Sequence, residues 1–205
     1  MKRTTTRRRR EIRQFITANR RLFPFVGLFL AGVALGVVVY VTNEGLFASL
    51  PSLLRIQAIG EGFGGWWHAF CQRCFGSLGL LCLLYLLGLW ACGIPFAAAV
   101  PLFYGLGLGL TEGYYYAMGA QGVLAVAVVL LPGALLTAAV LTMATTESLR
   151  LSARLSRQLL PRTPPEGLWG DFKLYCLRYL LFAAAAVGIG GLDTLLRRVA
   201  GGLLP

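Results

Sequence analysis

No charged side chain occurs between Cys74 and Thr111, a run of 38 residues broken at its centre by Gly93-Ile94-Pro95. As one helix it would extend roughly 57 Å at 1.5 Å per residue. The hydrocarbon core of a bilayer is only about 30 Å thick. The run is therefore too long for one crossing and fits two, and Gly and Pro stand where the chain must turn back. The spacing predicts a transmembrane hairpin with spans near 75–93 and 95–113.

Composition extends this reading to the whole chain. Hydrophobic residues make up 57% of the 205 residues and charged residues 13%, about half the charged fraction usual in a soluble domain. The polar residues collect between apolar runs of spanning length, which predicts five helices near 22–42, 75–93, 95–113, 122–146 and 174–192. A β-barrel is excluded, because barrel strands alternate apolar and polar residues and these runs are apolar all round. The first run is longer than the roughly 7–15 residues of a cleaved signal, and no A-x-A site follows it, so it reads as a signal anchor. The expected fold is all-α and polytopic: a basic arm over 1–21, then a single five-helix membrane domain over 22–205.

Charge placement orients the helices. The arm and the segment from 147 to 178 hold fifteen of the nineteen Lys and Arg residues, among them Arg7–Arg10, Arg150, Arg154, Arg157 and Arg178. On the other face Arg55, Arg73, Arg197 and Arg198 are balanced by Glu44, Glu61, Glu112 and Asp193. The whole formal charge of +11 then falls on one face. Basic residues near span ends stay in the cytoplasm, so the N-terminus is expected inside and the C-terminus outside. The basic face reads as topology with attraction to anionic lipid. Nucleic-acid binding through Arg7–Arg10 is not expected, because no interleaved aromatic platform or recognition fold accompanies it.

Between the spans, Ile12, Phe15 and Ile16 give the arm an amphipathic face. The outer loop 43–74 carries apolar residues from Leu46 to Ile56, then Gly60, Gly62, Gly64 and Gly65. Trp66, Trp67 and Phe70 follow where an aromatic belt belongs, and Tyr114–Tyr116 do the same after the third span. An interfacial helix bending into the second span is expected. The basic segment 147–173 should continue the fourth span and stop at Pro161 or Pro164-Pro165. Gly32-x-x-x-Gly36, Gly105-x-x-x-Gly109 and Ala184-x-x-x-Gly188 are close-packing motifs, expected mostly to act within one chain. Pro101 and Pro132 should kink the third and fourth spans.

Few residues offer chemistry. His68, Cys71 and Cys74 have ligand-like spacing, but a structural zinc site needs four ligands and no second pair is present. Cys71-x-x-Cys74 lacks the βαβ setting of a redox enzyme. Glu112 and Glu147 fall at span ends and read as interfacial rather than as an ion path. Thr137, Thr142, Thr145 and Thr146 can bond to their own helix or across to a neighbour. No Ser-His-Asp set, HExxH or P-loop is present. The expectation is a non-enzyme without catalytic, metal or cofactor residues.

Three stretches together resemble the stage II sporulation protein M family. They are Gly32-Val-Ala-Leu-Gly-Val-Val-Val39 after a basic arm, the hairpin Leu86-Leu-Gly-Leu-Trp-Ala-Cys-Gly-Ile-Pro95 with Gly105-Leu-Gly-Leu-Gly109, and Leu131-Pro-Gly-Ala-Leu-Leu-Thr137 running into a basic helix. Their order and the five-span count match over nearly the whole chain. The resemblance implies a multi-pass protein of the mother-cell membrane during sporulation. There it would act as a scaffold of the engulfment complex, anchoring two peptidoglycan hydrolases, an amidase and a lytic transglycosylase. The Arg-rich arm, the His68/Cys71/Cys74 cluster and the Gly-rich outer loop depart from the family. The expected docking surface is 43–74 with Tyr114–Tyr116 and the C-terminal tail. The alternative is a transporter or channel subunit with a groove near Pro101, Pro132 and Glu112, although inverted repeats are not visible.

Overall fold

A computed structural model of the chain describes residues 22–42, 63–90, 92–117, 119–158 and 168–199. The basic arm, most of the outer loop, the prolines at 161–165 and the C-terminal tail lie outside the described residues. The described residues form helices α1 (Phe23–Thr42), α2 (Phe63–Leu89), α3 (Ile94–Ala117), the short α4 (Ala120–Ala125), a π-helical turn (Val126–Leu130), α5 (Leu131–Gln158) and α6 (Leu168–Val199). No strand occurs among them. Five segments are long and apolar enough to cross a membrane, with α4, the π-turn and α5 forming one of them. The described residues are all-helical, and their five long apolar helices are consistent with a multi-pass membrane protein.

Several boundaries move from the sequence reading. The second span begins at Phe63, not 75, so Trp66, Trp67, Phe70 and Arg73 belong to one continuous helix rather than to a bent interfacial one. Glycine lowers helix propensity only modestly, and packing against α6 outweighs Gly64 and Gly65. The fourth span runs on to Gln158, and the fifth extends from Leu168 to Val199. Hydropathy marks where a helix leaves lipid, not where its hydrogen bonds stop. The hairpin turn is as expected: Gly93 N–H donates to the Trp90 carbonyl at 3.0 Å, and the Gly93 carbonyl accepts from Ala97 at 2.9 Å. A Cβ on Gly93 would overlap the Leu87 carbonyl oxygen, which fixes glycine at this turn. Pro95 then fills a first-turn position whose N–H needs no partner.

Two glycine motifs interlock. A Cβ on Gly32 or Gly36 would overlap the Leu102 or Leu106 carbonyl oxygen, and one on Gly105 or Gly109 would overlap that of Phe29 or Val33. The residue numbers rise together, so α1 and α3 run parallel with backbones in direct contact. Both motifs act within the chain, as expected. Ala184-x-x-x-Gly188 does not pack inside: a Cβ on Gly188 would meet nothing, and Gly190 faces Cys74 instead. Hydropathy alone does not reveal which stripe of α6 faces its neighbours.

The two prolines behave differently. α3 continues through the buried Pro101. Pro132 follows immediately on the π-turn Val126–Leu130. A proline has no N–H and its ring crowds the carbonyl four residues earlier, here Val128. The wider π-turn relieves that crowding.

The core lies in two clusters. Leu81, Leu84, Val100, Leu141, Ala144 and Tyr179 anchor one. Phe29, Leu108, Tyr115, Val126, Leu130 and Ala134 anchor the other. Gly105→Leu or Gly36→Leu is expected to cost more than about 2 kcal/mol by overpacking backbone against backbone, whereas Gly27→Leu and Gly188→Leu, which meet open space, should leave the melting temperature in detergent unchanged. Thermal unfolding followed by size-exclusion chromatography reads both.

Candidate functional site

Two polar constellations sit at opposite ends of the bundle. The arginine-rich end gathers the α2–α3 turn, the C-terminus of α5 and the N-terminus of α6. The N-terminus of α1, parallel to α3, lies at the same end, and the arginine-poor end gathers the other helix ends.

Near the arginine-poor end a carboxylate is buried between helices. Asp193 on α6 is 1% exposed; its Oδ2 accepts from Arg197 Nε at 2.9 Å and forms an ion pair with Arg73 of α2, 3.2 Å from its Nε. Arg197 is 8% exposed and Arg73 29%. Asp193 and Arg197 meet because residues four apart share a helix face. Oδ1 has no hydrogen-bond partner among the described residues. It points at Gly133 on α5, where a Cβ would stand 2.5 Å away. Glycine beside Pro132 thus lets α5 approach the carboxylate, and the π-turn lies one helical turn before it. The Thr137 hydroxyl donates to the Gly133 carbonyl at 2.8 Å, and Thr194 to that of Gly190 at 2.7 Å.

At the arginine-rich end a hydroxyl network joins α2, α5 and α6. Ser148 donates to the Leu84 carbonyl at 2.8 Å and contacts the Tyr179 hydroxyl. Tyr175 donates to the Tyr85 carbonyl at 2.9 Å, and Ser152 to that of Trp90 at 2.7 Å. The Tyr175 and Tyr179 rings lie 4.6 Å apart; Tyr175 stacks on Tyr85, and Tyr179 meets Tyr85 edge-on. Just beyond, Glu147 accepts from Arg150 at 2.6 Å and also from Arg178, and Arg154 donates to Asp171. These pairs rim an open cavity of about 520 Å³ between α5 and α6.

The residues singled out by sequence fare unevenly. Glu112 is 7% exposed, packed within the bundle on α3, which extends past it to Ala117. Glu147 sits at the end of the apolar run as expected but carries two arginines. All four threonines bond back to their own helix. Of Tyr114–Tyr116 only Tyr116 is exposed, Tyr115 being buried and Tyr114 packed edge-on against Tyr40. Cys74 is buried, His68 exposed, and both cysteines of the cluster are free thiols. Among the described residues no group of three or more His, Cys, Asp or Glu is placed to hold a metal ion.

Arg73, Asp193 and Arg197 escaped the sequence reading, which put them in a loop and a tail. The readable signal was the i, i+4 pairing of Asp193 with Arg197 directly after an apolar run. Ser148 and the tyrosines at 85, 175 and 179 left no comparable pattern.

No family model matches the sequence, and no curated protein or solved structure matches it either.

Asp193→Asn is expected to cost about 3–5 kcal/mol, because two guanidinium groups lose the counter-charge they are buried with. Asp193→Leu combined with Arg197→Leu should recover most of that loss, since Arg73 still reaches solvent. Scanning fluorimetry in detergent measures both. A wild-type melting temperature for Asp193→Asn would remove the carboxylate from the structural account.

Proposed function

We propose that the chain is a membrane scaffold of the forespore-engulfment machinery, anchoring a peptidoglycan amidase and a lytic transglycosylase at the mother-cell membrane. The reading rests first on the resemblance carried by Gly32–Val39, Leu86–Pro95 and Leu131–Thr137. The structural observation that supports it is the use made of polar side chains inside the bundle. Asp193 holds Arg73 and Arg197, and Ser148, Ser152 and Tyr175 hold neighbouring backbone carbonyls. Each of these groups fixes one helix against another, as a rigid platform requires. The charge asymmetry supports an N-terminus inside and a C-terminus outside, with the arginine-poor face toward the cell wall and the hydrolases.

A second reading, a transporter or channel subunit, is favoured by one observation. The π-turn at Val126–Leu130 and Pro132 adjoin the unpaired oxygen of a buried carboxylate. π-Turns within helices recur at functional sites, and intramembrane charges mark transport paths.

Both hydrolases are expected to co-purify with the full chain from sporulating cells and to be lost on deletion of 46–64. Retention of both by that deletion would move the docking surface elsewhere, and failure of either to bind the full chain would overturn the scaffold. In liposomes the purified protein should pass no more ion or solute than empty vesicles. A specific flux abolished by Glu112→Gln would replace the scaffold with the transport reading. On intact cells, a membrane-impermeant maleimide should spare Cys92, which is exposed at the α2–α3 turn, because that turn is placed inside.

A further inference from the structure

The cavity between α5 and α6 stands apart from the scaffold reading and belongs to a different kind of ligand. Its rim holds Arg150, Arg154 and Arg178 against Glu147 and Asp171, and Leu174 forms part of its wall. Three guanidinium groups against two carboxylates leave one positive charge uncompensated. Each described ion pair engages one nitrogen of a group that carries five N–H donors. Arginine's planar fork suits phosphate oxygens better than a point charge does. The volume of about 520 Å³ falls within the range of about 300–1,000 Å³ common to ligand sites.

Depth and surroundings narrow the ligand. Ser148 and Ser152 are bonded to the Leu84 and Trp90 carbonyls, so the cavity is level with the end of α2. There the apolar run of α5 stops and its charges begin, at the height of lipid headgroups. Trp90 is exposed beside this level. Trp169 is exposed one turn outside it, with the Lys173 ammonium 5.5 Å from its ring centre. Both aromatics fit an interfacial belt. Leu174 opens a stripe that continues through Leu177 and Leu181, all three exposed. Spacings of three and four keep the stripe on one face of α6, and it runs from the cavity toward the hydrocarbon.

We propose that this cavity binds the phosphate headgroup of an anionic phospholipid, with its acyl chains along Leu174, Leu177 and Leu181. A soluble phosphate ester would engage the guanidinium groups alone. A phospholipid engages both the charge and the apolar stripe that leads out of it, and basic pockets between transmembrane helices take such headgroups.

The purified full chain, in a neutral detergent, is titrated separately with phosphatidylglycerol, phosphatidylcholine and soluble glycerol phosphate. Binding is read by native mass spectrometry and by the shift in Tm. Phosphatidylglycerol should bind and raise Tm while the other two do neither. Arg154→Gln and Arg178→Gln, each leaving Glu147 paired with Arg150, should weaken phosphatidylglycerol about fivefold apiece. Arg198→Gln, exposed at the opposite end, should leave it unchanged. Equal protection by glycerol phosphate would make this a soluble-anion site and overturn the lipid assignment. Equal binding of phosphatidylcholine, or an equal loss in Arg198→Gln, would reduce the effect to unspecific association and overturn the site.

Discussion

Inside a bilayer no water is present to complete a hydrogen bond, so a buried polar atom must find its partner on another part of the protein. That constraint arranges the bundle. α2, α5 and α6 are joined to one another by polar side chains at two heights, and Tyr104 of α3 reaches the Ala134 carbonyl of α5. Near one end Arg73, Asp193 and Gly133 bring the three helices together. Near the other, Ser148 and Tyr175 reach from α5 and α6 to α2 carbonyls. α1 has no such groups among its buried residues, which are Phe29, Gly32 and Gly36. It is held instead by backbone contact with α3, where dispersion replaces the hydrophobic drive that lipid abolishes.

The two modes of attachment differ in what they specify. Glycine-to-backbone contact tolerates nothing larger than hydrogen at four consecutive crossings, so it fixes distance. A buried carboxylate shared with an arginine of another helix fixes register, because sliding α6 by one turn would part Asp193 from Arg73 while carrying Arg197 along with it. Such an arrangement adds little net stability, since desolvation offsets most of the Coulomb attraction. Its contribution is to make every other register worse. Gly133 shows how closely this is drawn: the residue after a helix-breaking proline is the one that leaves room for Asp193 Oδ1.

The legible part of this fold was the part encoded by pattern. Apolar runs gave five spans, Gly93-Ile94-Pro95 gave the hairpin, and the two leading GxxxG motifs gave the α1–α3 contact. What pattern missed was continuity beyond the apolar runs. A helix keeps its backbone hydrogen bonds after its side chains turn polar, so α2 starts before its hydropathy rises and α6 persists to Val199. The charges that hold the bundle lie in those overhangs. Counting Arg73, Asp193 and Arg197 as loop and tail charges concealed their pairing. Tertiary contacts between Ser148 and residues some sixty positions away have no local signature at all.

The overhangs also explain why the two ends differ in openness. At the arginine-poor end the charged residues lie beneath the aromatic side chains of Trp66, Trp67 and Phe70 along α2, and Asp193 and Arg197 are sealed between helices. At the arginine-rich end α5 and α6 rise past the end of α2, and among the described residues no third helix stands between them at that height. Their facing side chains, Glu147 to Arg154 and Asp171 to Arg178, pair across the gap in antiparallel register but do not fill it. Carboxylates at both edges hold the guanidinium groups apart and keep them from collapsing onto the apolar wall. The same residue type therefore serves two purposes: sealed within the bundle, arginine sets the register of α6, and at the rim it remains available to a phosphate. Side-chain depth along one helix separates the two, and depth is what a count of basic residues discards.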